Sequence, residues 1–479
     1  VWADPAEQVH ADWTVPGQRA PWLAWQQFTS EVFLTFLAER SQTIRSTDRQ
    51  GLAGFRTLAD SLPSRGCWIP NLAGVMDWLA VECTPGHLQR LADSRAPTCR
   101  GYGVMHRDYP GWRQPEGCRW RAWLCAGLGL NGLWVESPWN GFSLYEPAAA
   151  SLPERTLSPG LAALTETADQ IRKRGAVWLL ARPAPVRVLV FDSQTAHLFR
   201  SIDMDFPDPD GLSREHWAAL LNRIGVDWAF VDTSRLDRLA DPAVQAVILP
   251  QCRALTDGEI AAFQAFHARG GLLVADLLPG SHTEYGIRRT APPLAEVFAV
   301  SYAENQEGDD LPWVEVLPDS GRPGSGIRRA EKLTAAEGCR AAWTGSGTCM
   351  RILSPDGRAL LLNHPLPPPD TAKASSLLPE HAAVRDLLWG AGLRAEGPVP
   401  EDSGSADLIT RRRTLGSTPI YFVLAGPEHA VRVKLPVVDR GYRLMDLLTE
   451  PSRPVRTGGR VTLKAGEAGL WAVIPAGNP

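Results

Sequence analysis

Lysine is scarce in this sequence, and so are methionine, paired cysteines, long apolar runs and any excess of charge. Arginine in place of lysine looks like genome composition and carries little functional weight. A net charge of −4 over the whole chain gives no support for binding nucleic acid or another polyanion. The eight cysteines, Cys67, Cys83, Cys99, Cys118, Cys125, Cys252, Cys339 and Cys349, include no C-x-x-C pair, which speaks against a structural zinc site. Scattered over 479 residues, they fit reduced thiols of a cytoplasmic protein better than a disulfide framework. No apolar run reaches transmembrane length, no stretch has the form of a signal peptide, and no repeat recurs at a fixed period. Phosphate-binding glycine loops are missing, so neither cofactor nor metal is expected. An initiator Met is also missing, and Val1 reads as an internal start.

Tryptophan, by contrast, is abundant at 18 residues. Indole rings pack against pyranose C–H faces and so suit sugars; they equally fill large cores. Hydrophobic content of 44% and charged content of 21% are ordinary for a globular chain.

Residues 1–184 alternate helix-like and strand-like segments. "PWLAWQQFTSEVFLTFLAERSQTIRS" spaces its apolar residues as a long amphipathic helix. Four short apolar runs read as strands: "CWIPNL" (67–72), "DWLAVE" (77–82), "YGVMH" (102–106) and "NGLWVES" (131–137). Helical stretches lie between or after most of them, which predicts parallel α/β units amounting to half of an eight-stranded barrel. After the linker "ARPAPV", residues 185–395 begin a second α/β pattern, with strands at 186–191, "VQAVILPQ" and "LLVADLL" and a helix opened by Thr256 and Glu259 as a capping box. That pattern is doubly wound and flavodoxin-like, of the class I amidotransferase type. Residues 301–350 are polar and rich in Gly and Pro, and read as a long loop or insertion. Residues 396–479 carry short alternating strands, the pattern of a small antiparallel β-sandwich.

Half barrel, flavodoxin-like domain and β-sandwich, in that order, resemble glycoside hydrolase family 42, the bacterial β-galactosidases, over almost the whole chain. "ALLNRIGVDWAFVDTSRL" and "VQAVILPQCRALTDGEIAAFQAFHARGGLLVADLLPGSHTEYG" are similar to that family's trimerisation domain. "CWIPNLAG" is similar to its fifth strand, which would match Asn71. "DWLAVECTP" is similar to its sixth, matching Glu82 and Pro85, and "GLNGLWVESPWNGFSLYE" is similar to its eighth. The resemblance implies a β-galactosidase-like glycosidase acting on β-linked galactosides, assembled as a homotrimer through residues 185–395.

Two departures qualify that implication. The family's acid/base glutamate ends strand four, which on this alignment lies before Val1; roughly two hundred upstream residues would complete the barrel. The nucleophile position falls on "VMH", so that His106 stands where a glutamate is expected. A retaining glycosidase needs two carboxyl groups flanking the anomeric carbon, and an imidazole supplies no negative charge to an oxocarbenium-like transition state. Three carboxylates sit near the same barrel face: Glu82, Glu136 and Asp108. His106 could instead serve as a proton relay or sugar ligand, although a lone His after a buried strand is more often structural. A carboxylate leaving an apolar strand, as Glu82 and Glu136 do, is costly to bury unpaired, which favours the barrel mouth. Asn71, Asp108, Trp112 and Trp139 are candidates for sugar contact, Trp134 for wall packing, and Asp77 and Trp78 for the opposite, stability face.

The competing reading is a catalytically inactive carbohydrate-binding or assembly protein on the same scaffold. A third, an amidotransferase centred on Cys252, lacks the glycine-flanked nucleophile turn: the sequence there is "PQCRA".

Overall fold

The structure, a computed structural model, describes residues 16–48, 50–57, 68–82, 84–94, 98–105, 114–135, 158–203, 206, 212–302, 313–315, 329–344, 349–368, 377–394, 397–402, 408–449 and 451–476. Its first part runs α1 (Pro16–Thr47), β1 (Gly54–Thr57), α2 (Ile69–Val75), β2 (Trp78–Glu82), α3 (Pro85–Ser94), β3 (Arg100–Met105), α4 (Pro115–Gly127), β4 (Gly132–Val135), α5 (Pro159–Arg174) and α6 (Ala176–Leu180). The four strands pair parallel in the order β1-β2-β3-β4. Three of the expected strands are present. The fourth expectation is corrected: "CWIPNL" is not a strand, since Ile69–Val75 is a helix with proline in its first turn, where a missing N–H costs no bond. The strand beside β2 is Gly54–Thr57, paired from Gly54 opposite Trp78 to Thr57 opposite Val81.

The long helix α1 is also corrected in character. Phe33, Leu34 and Leu37 pack on the barrel core, yet Phe28, Val32 and Phe36, spaced by four, are exposed at 45, 51 and 46%. It is apolar on two faces rather than amphipathic.

The second part opens with β5 (Arg182–Pro183) and continues with β6 (Val188–Phe191), α7 (Gln194–Ile202), α8 (Leu212–Arg223), β7 (Trp228–Val231), β8 (Ala246–Pro250), α9 (Asp257–Ala268), β9 (Leu272–Asp276) and a one-turn α10 (Ala295–Phe298). Parallel strands with helices on both faces are buried on both sides and read as unbroken apolar runs; every residue of β6, β7, β8 and β9 is buried. Thr256 and Glu259 close the capping box of α9, and Gly270, at φ +97°, follows its end. The expected loop at 301–350 is corrected as well. It carries β10 (Val300–Tyr302), β11 (Trp313–Glu315), β12 (Arg329–Glu331), β13 (Leu333–Ala335) and β14 (Arg340–Thr344). Then come β15 (Cys349–Leu353), β16 (Ala359–Leu362) and α11 (Pro379–Gly390). The main sheet runs β14-β15-β16-β9-β8-β6-β7. Its parallel strands follow the flavodoxin order, with the strand-order reversal between β6 and β8.

The third part holds β17 (Val399–Asp402), β18 (Ile409–Leu415), β19 (Thr418–Leu424), β20 (Val431–Lys434), β21 (Tyr442–Asp446), β22 (Arg453–Val455), β23 (Arg460–Leu463) and β24 (Ala468–Pro475). They form sheets β17-β20-β23 and β22-β21-β24-β19-β18-β5, so the linker before β6 lends an edge strand to the sandwich. Phe422 of β19 lies 6.1 Å from Trp123 and 5.3 Å from Trp178, centroid to centroid, and joins the barrel helices to the sandwich in one core. Among the described residues, no helix is long and apolar enough to cross a membrane.

Candidate functional site

Side-chain alternation sorts each barrel strand into a helix-facing and an inner set. Leu79 and Val81 join the core with Leu88 and Leu91 of α3, which turns Trp78, Ala80 and Glu82 inward. Met105 packs with Cys118 and Ala122 of α4, as do Leu133 and Val135, leaving Arg100, Tyr102 and Val104, and Gly132 and Trp134, on the inner side. Phe55 meets Phe33 of α1 at 6.0 Å, so Gly54 and Arg56 face inward too. The inner face alternates small and large residues. A Cβ on Gly54 would stand 1.7 Å from the Trp78 ring, and one on Gly132 would stand 3.6 Å from Tyr102. Trp134 stacks on Trp78, with centroids 5.7 Å apart and planes 18° apart, and is 46% exposed. The result is an inner wall of two stacked indoles, a phenol, two guanidiniums and one carboxylate.

Glu82 is the last residue of β2 and half-buried. The turn after it is built by its neighbours: Thr84 N–H donates to the Glu82 carbonyl (2.9 Å), and the Thr84 hydroxyl lies 2.7 Å from His87 Nδ1. Pro85 is the first residue of α3. A carboxylate followed three residues on by proline is thus a strand end leading into a helix start.

Other sequence-predicted residues divide sharply. Glu136, His106, Asp108, Trp112 and Trp139 lie outside the described residues. Asn71 sits on α2, where its Nδ2 donates to Gln194 Oε1 (3.1 Å) on α7; Gln194 in turn donates to Ser30 of α1 (3.0 Å). Asp77 takes the structural part expected of it, pairing with Arg45 (2.7 Å) and accepting from Ala53 N–H (2.9 Å). That Arg45 hydrogen bond holds its carboxyl below the usual range. Trp78, expected only at the stability face, starts β2 there but turns inward onto Trp134. Arg56, Arg100 and Tyr102 were not expected in the wall, and alternation along β1, β2 and β3 is the signal that finds all four.

A second polar cluster fills the strand-order reversal of the flavodoxin-like domain. Asp192, after β6, pairs with Arg214 of α8 and faces Arg90 of α3 at 3.6 Å. Arg90 also reaches Glu215 at 3.3 Å. Burial alone would raise the Asp192 carboxyl, but Arg214 and Arg90 outweigh it and hold it low. Burial, with Arg214 next, brings Arg90 down to about 10. His197 is kept neutral by burial and then by Arg214 and Arg200. Cys252 is no nucleophile here: it is buried, its thiol donates to the Pro250 carbonyl (3.4 Å), and burial drives its pKa well up. The strained residue after β8 is Gln251, at φ +42°, whose N–H donates to Asp276 (2.7 Å). Among the described residues, no three His, Cys, Asp or Glu side chains stand together as a metal site.

A parallel half barrel with a polar inner wall, joined to a flavodoxin-like domain and a sandwich, defines a three-part α/β architecture. No family model matches the sequence, and no curated sequence matches it. Solved structures do. A β-galactosidase from Bacillus circulans sp. alkalophilus superposes with a TM-score of 0.67 at 12% identity, over 95% of this chain and 68% of its own. A GH42 β-galactosidase from G. stearothermophilus gives 0.67 at 13%, over 95% and 68%. An α-L-fucosidase isoenzyme from Paenibacillus thiaminolyticus gives 0.57 at 13%, over 93% and 71%. The chain therefore has a GH42-like fold.

Proposed function

We propose that this chain is the strand-five-to-C-terminus portion of a glycoside hydrolase acting on β-linked galactosides, with Glu82 as a working carboxylate. The observation that carries the reading is Glu82 itself: a half-buried carboxylate at a parallel strand end, on the face that also presents Trp134, Tyr102 and Arg56. Catalytic groups of α/β barrels occupy that end of the strands. The carboxylate would act as acid or base, and Trp134 over Trp78 would offer an indole face to a pyranose ring. Glu136 and His106 are the proposed companions from the sequence. Four further strand–helix units would close the barrel against β1 and β4, the outer strands among the described residues, near which Phe28, Val32, Phe36 and Trp134 are exposed. The flavodoxin-like domain would carry the homotrimer contacts.

The test is hydrolysis of an aryl β-D-galactoside by the protein with its complete barrel. Glu82→Gln should lower kcat about a thousandfold, the range of a lost acid or base, with KM little changed. Full activity in that variant would remove Glu82 from the mechanism. A second reading, sugar binding without turnover, is favoured by histidine at the position aligned with the nucleophile. Galactoside binding by calorimetry, with no hydrolysis in the wild type, would select it.

A further inference from the structure

The C-terminal sandwich carries a charged cleft remote in sequence from the barrel wall. Val431 and Val433 of β20 point into the sandwich core, so Arg432 and Lys434 face solvent. Lys434 stands directly opposite Arg460 of β23. Like charges in register oppose strand pairing, and here Glu401, bonded to Arg460, offsets them. Between β22 and β23 the chain turns through Arg456–Gly459. Gly458, at φ +65°, donates to the Pro436 carbonyl (3.0 Å), and Gly459 donates to the Arg456 carbonyl (3.1 Å). The turn opens a cleft of about 720 Å³ lined by Arg453, Arg456 and Arg460, and among the described residues no carboxylate lines it.

Two acids border this group: Asp446 of β21 stands opposite Arg453 in register, and Glu401 reaches Arg460. Glu401 of β17 accepts from Arg460 Nε at 2.5 Å. Among the described residues, Arg453 and Arg456 make no ion pair. Val437, 79% exposed, stands beside the turn, since a Cβ on Gly458 would meet its Cγ2 at 3.1 Å. The cleft thus sets guanidinium forks beside one exposed apolar side chain, at a volume that holds one or two sugar rings. Guanidinium matches the geometry of sulfate and carboxylate with paired N–H bonds. A nucleic acid would want an extended basic stripe with aromatic stacking platforms, and neither lines this cleft.

We infer that the Arg453–Arg456–Arg460 cleft binds a saccharide through a sulfate ester or uronate carboxylate, anchoring an acidic polysaccharide. The inference rests on the carbohydrate-active reading of the barrel. Arg460, already held by Glu401, would set the cleft's charge, while Arg453 and Arg456 would take the anion.

The experiment is calorimetric titration of the full chain with three tetrasaccharides, a sulfated galactan, an oligogalacturonate and a neutral galactan, and separately with inorganic sulfate. At least one acidic tetrasaccharide should bind more tightly than the neutral one and weaken as salt rises. In the double variant Arg453→Ala, Arg456→Ala that binding should weaken at least tenfold, with neutral-galactan binding unchanged; Arg453→Lys, Arg456→Lys should restore part of it. Which acidic saccharide binds identifies the group. Equal binding by wild type and double variant would overturn the site, as would inorganic sulfate binding as tightly as the saccharides. Hydrolysis is read separately: anionic binding without turnover of any glycoside sinks the hydrolase reading and leaves the cleft standing, whereas turnover without anionic binding does the reverse.

Discussion

Buried histidines give the residue scale its clearest consequence. His381 on α11 is fully buried, with Nε2 3.0 Å from the Pro367 carbonyl. Burial takes its pKa from 6.5 down to about 4. The folded state therefore resists a proton that the unfolded state accepts, and stability falls as pH drops from about 6.5 toward about 4. At about 1.4 kcal/mol per pKa unit, the whole interval is worth about 3 kcal/mol. His381→Gln should flatten this slope, read as a smaller fall in Tm between pH 7.5 and pH 5 than in the wild type. An identical fall in both would clear His381 of the effect. None of this is legible in the sequence, where His381 is one helical histidine between Glu380 and Ala382. The place of Glu82 at the end of β2 was legible, because it closes an apolar run.

Elements show where local patterning misleads. Seven residues from Ile69 are apolar enough for a strand, yet short apolar runs do not separate strand from helix, and Pro70 fits a helix's first turn. Gly54–Thr57 escaped notice because its inner positions are a glycine and an arginine, which is no apolar run at all. Helix α1 has one stripe on the core and a second, Phe28, Val32 and Phe36, in the open. A barrel helix touches a neighbour on each side, and that second stripe is what such a neighbour would cover. Phe28→Ser, Val32→Ser, Phe36→Ser should raise solubility and cut dye binding to exposed apolar surface in this chain alone. In a protein with a completed barrel, the same changes should lower Tm by several degrees. A stripe that is solvated in both would leave the second Tm unchanged.

At the scale of the whole molecule, α3 is the hub. Its Arg90 reaches Asp192, and its Asp93 accepts from the Phe230 backbone N–H at 2.8 Å. Its Gln89 accepts from Arg411 of the sandwich (3.1 Å), which also reaches Asn222 (3.1 Å) and lies 4.9 Å over the Trp228 ring. One short helix thus bonds to both other parts, and calorimetry should show a single unfolding transition. Arg411→Ala leaves buried acceptors unpaired, at about 2–3 kcal/mol. It should split off a lower-melting step from the sandwich. One unsplit, unshifted transition would mean that the Phe422 packing alone holds the sandwich.

Local patterning determined a good part of this protein: three of four barrel strands, the all-apolar strands of the flavodoxin-like sheet, the capping box of α9 and the antiparallel run at the end. These follow from neighbours a few residues apart, and such neighbours are adjacent in the sequence too. Tertiary structure alone decided the rest. Trp78 and Trp134 stack across an intervening strand, Asn71 meets Gln194, Arg411 meets Gln89, and Arg453, Arg456, Arg460 and Lys434 gather around one turn. Each depends on which strands become neighbours and how far the sheet curls, and those are set by packing of the whole chain rather than by any stretch within it.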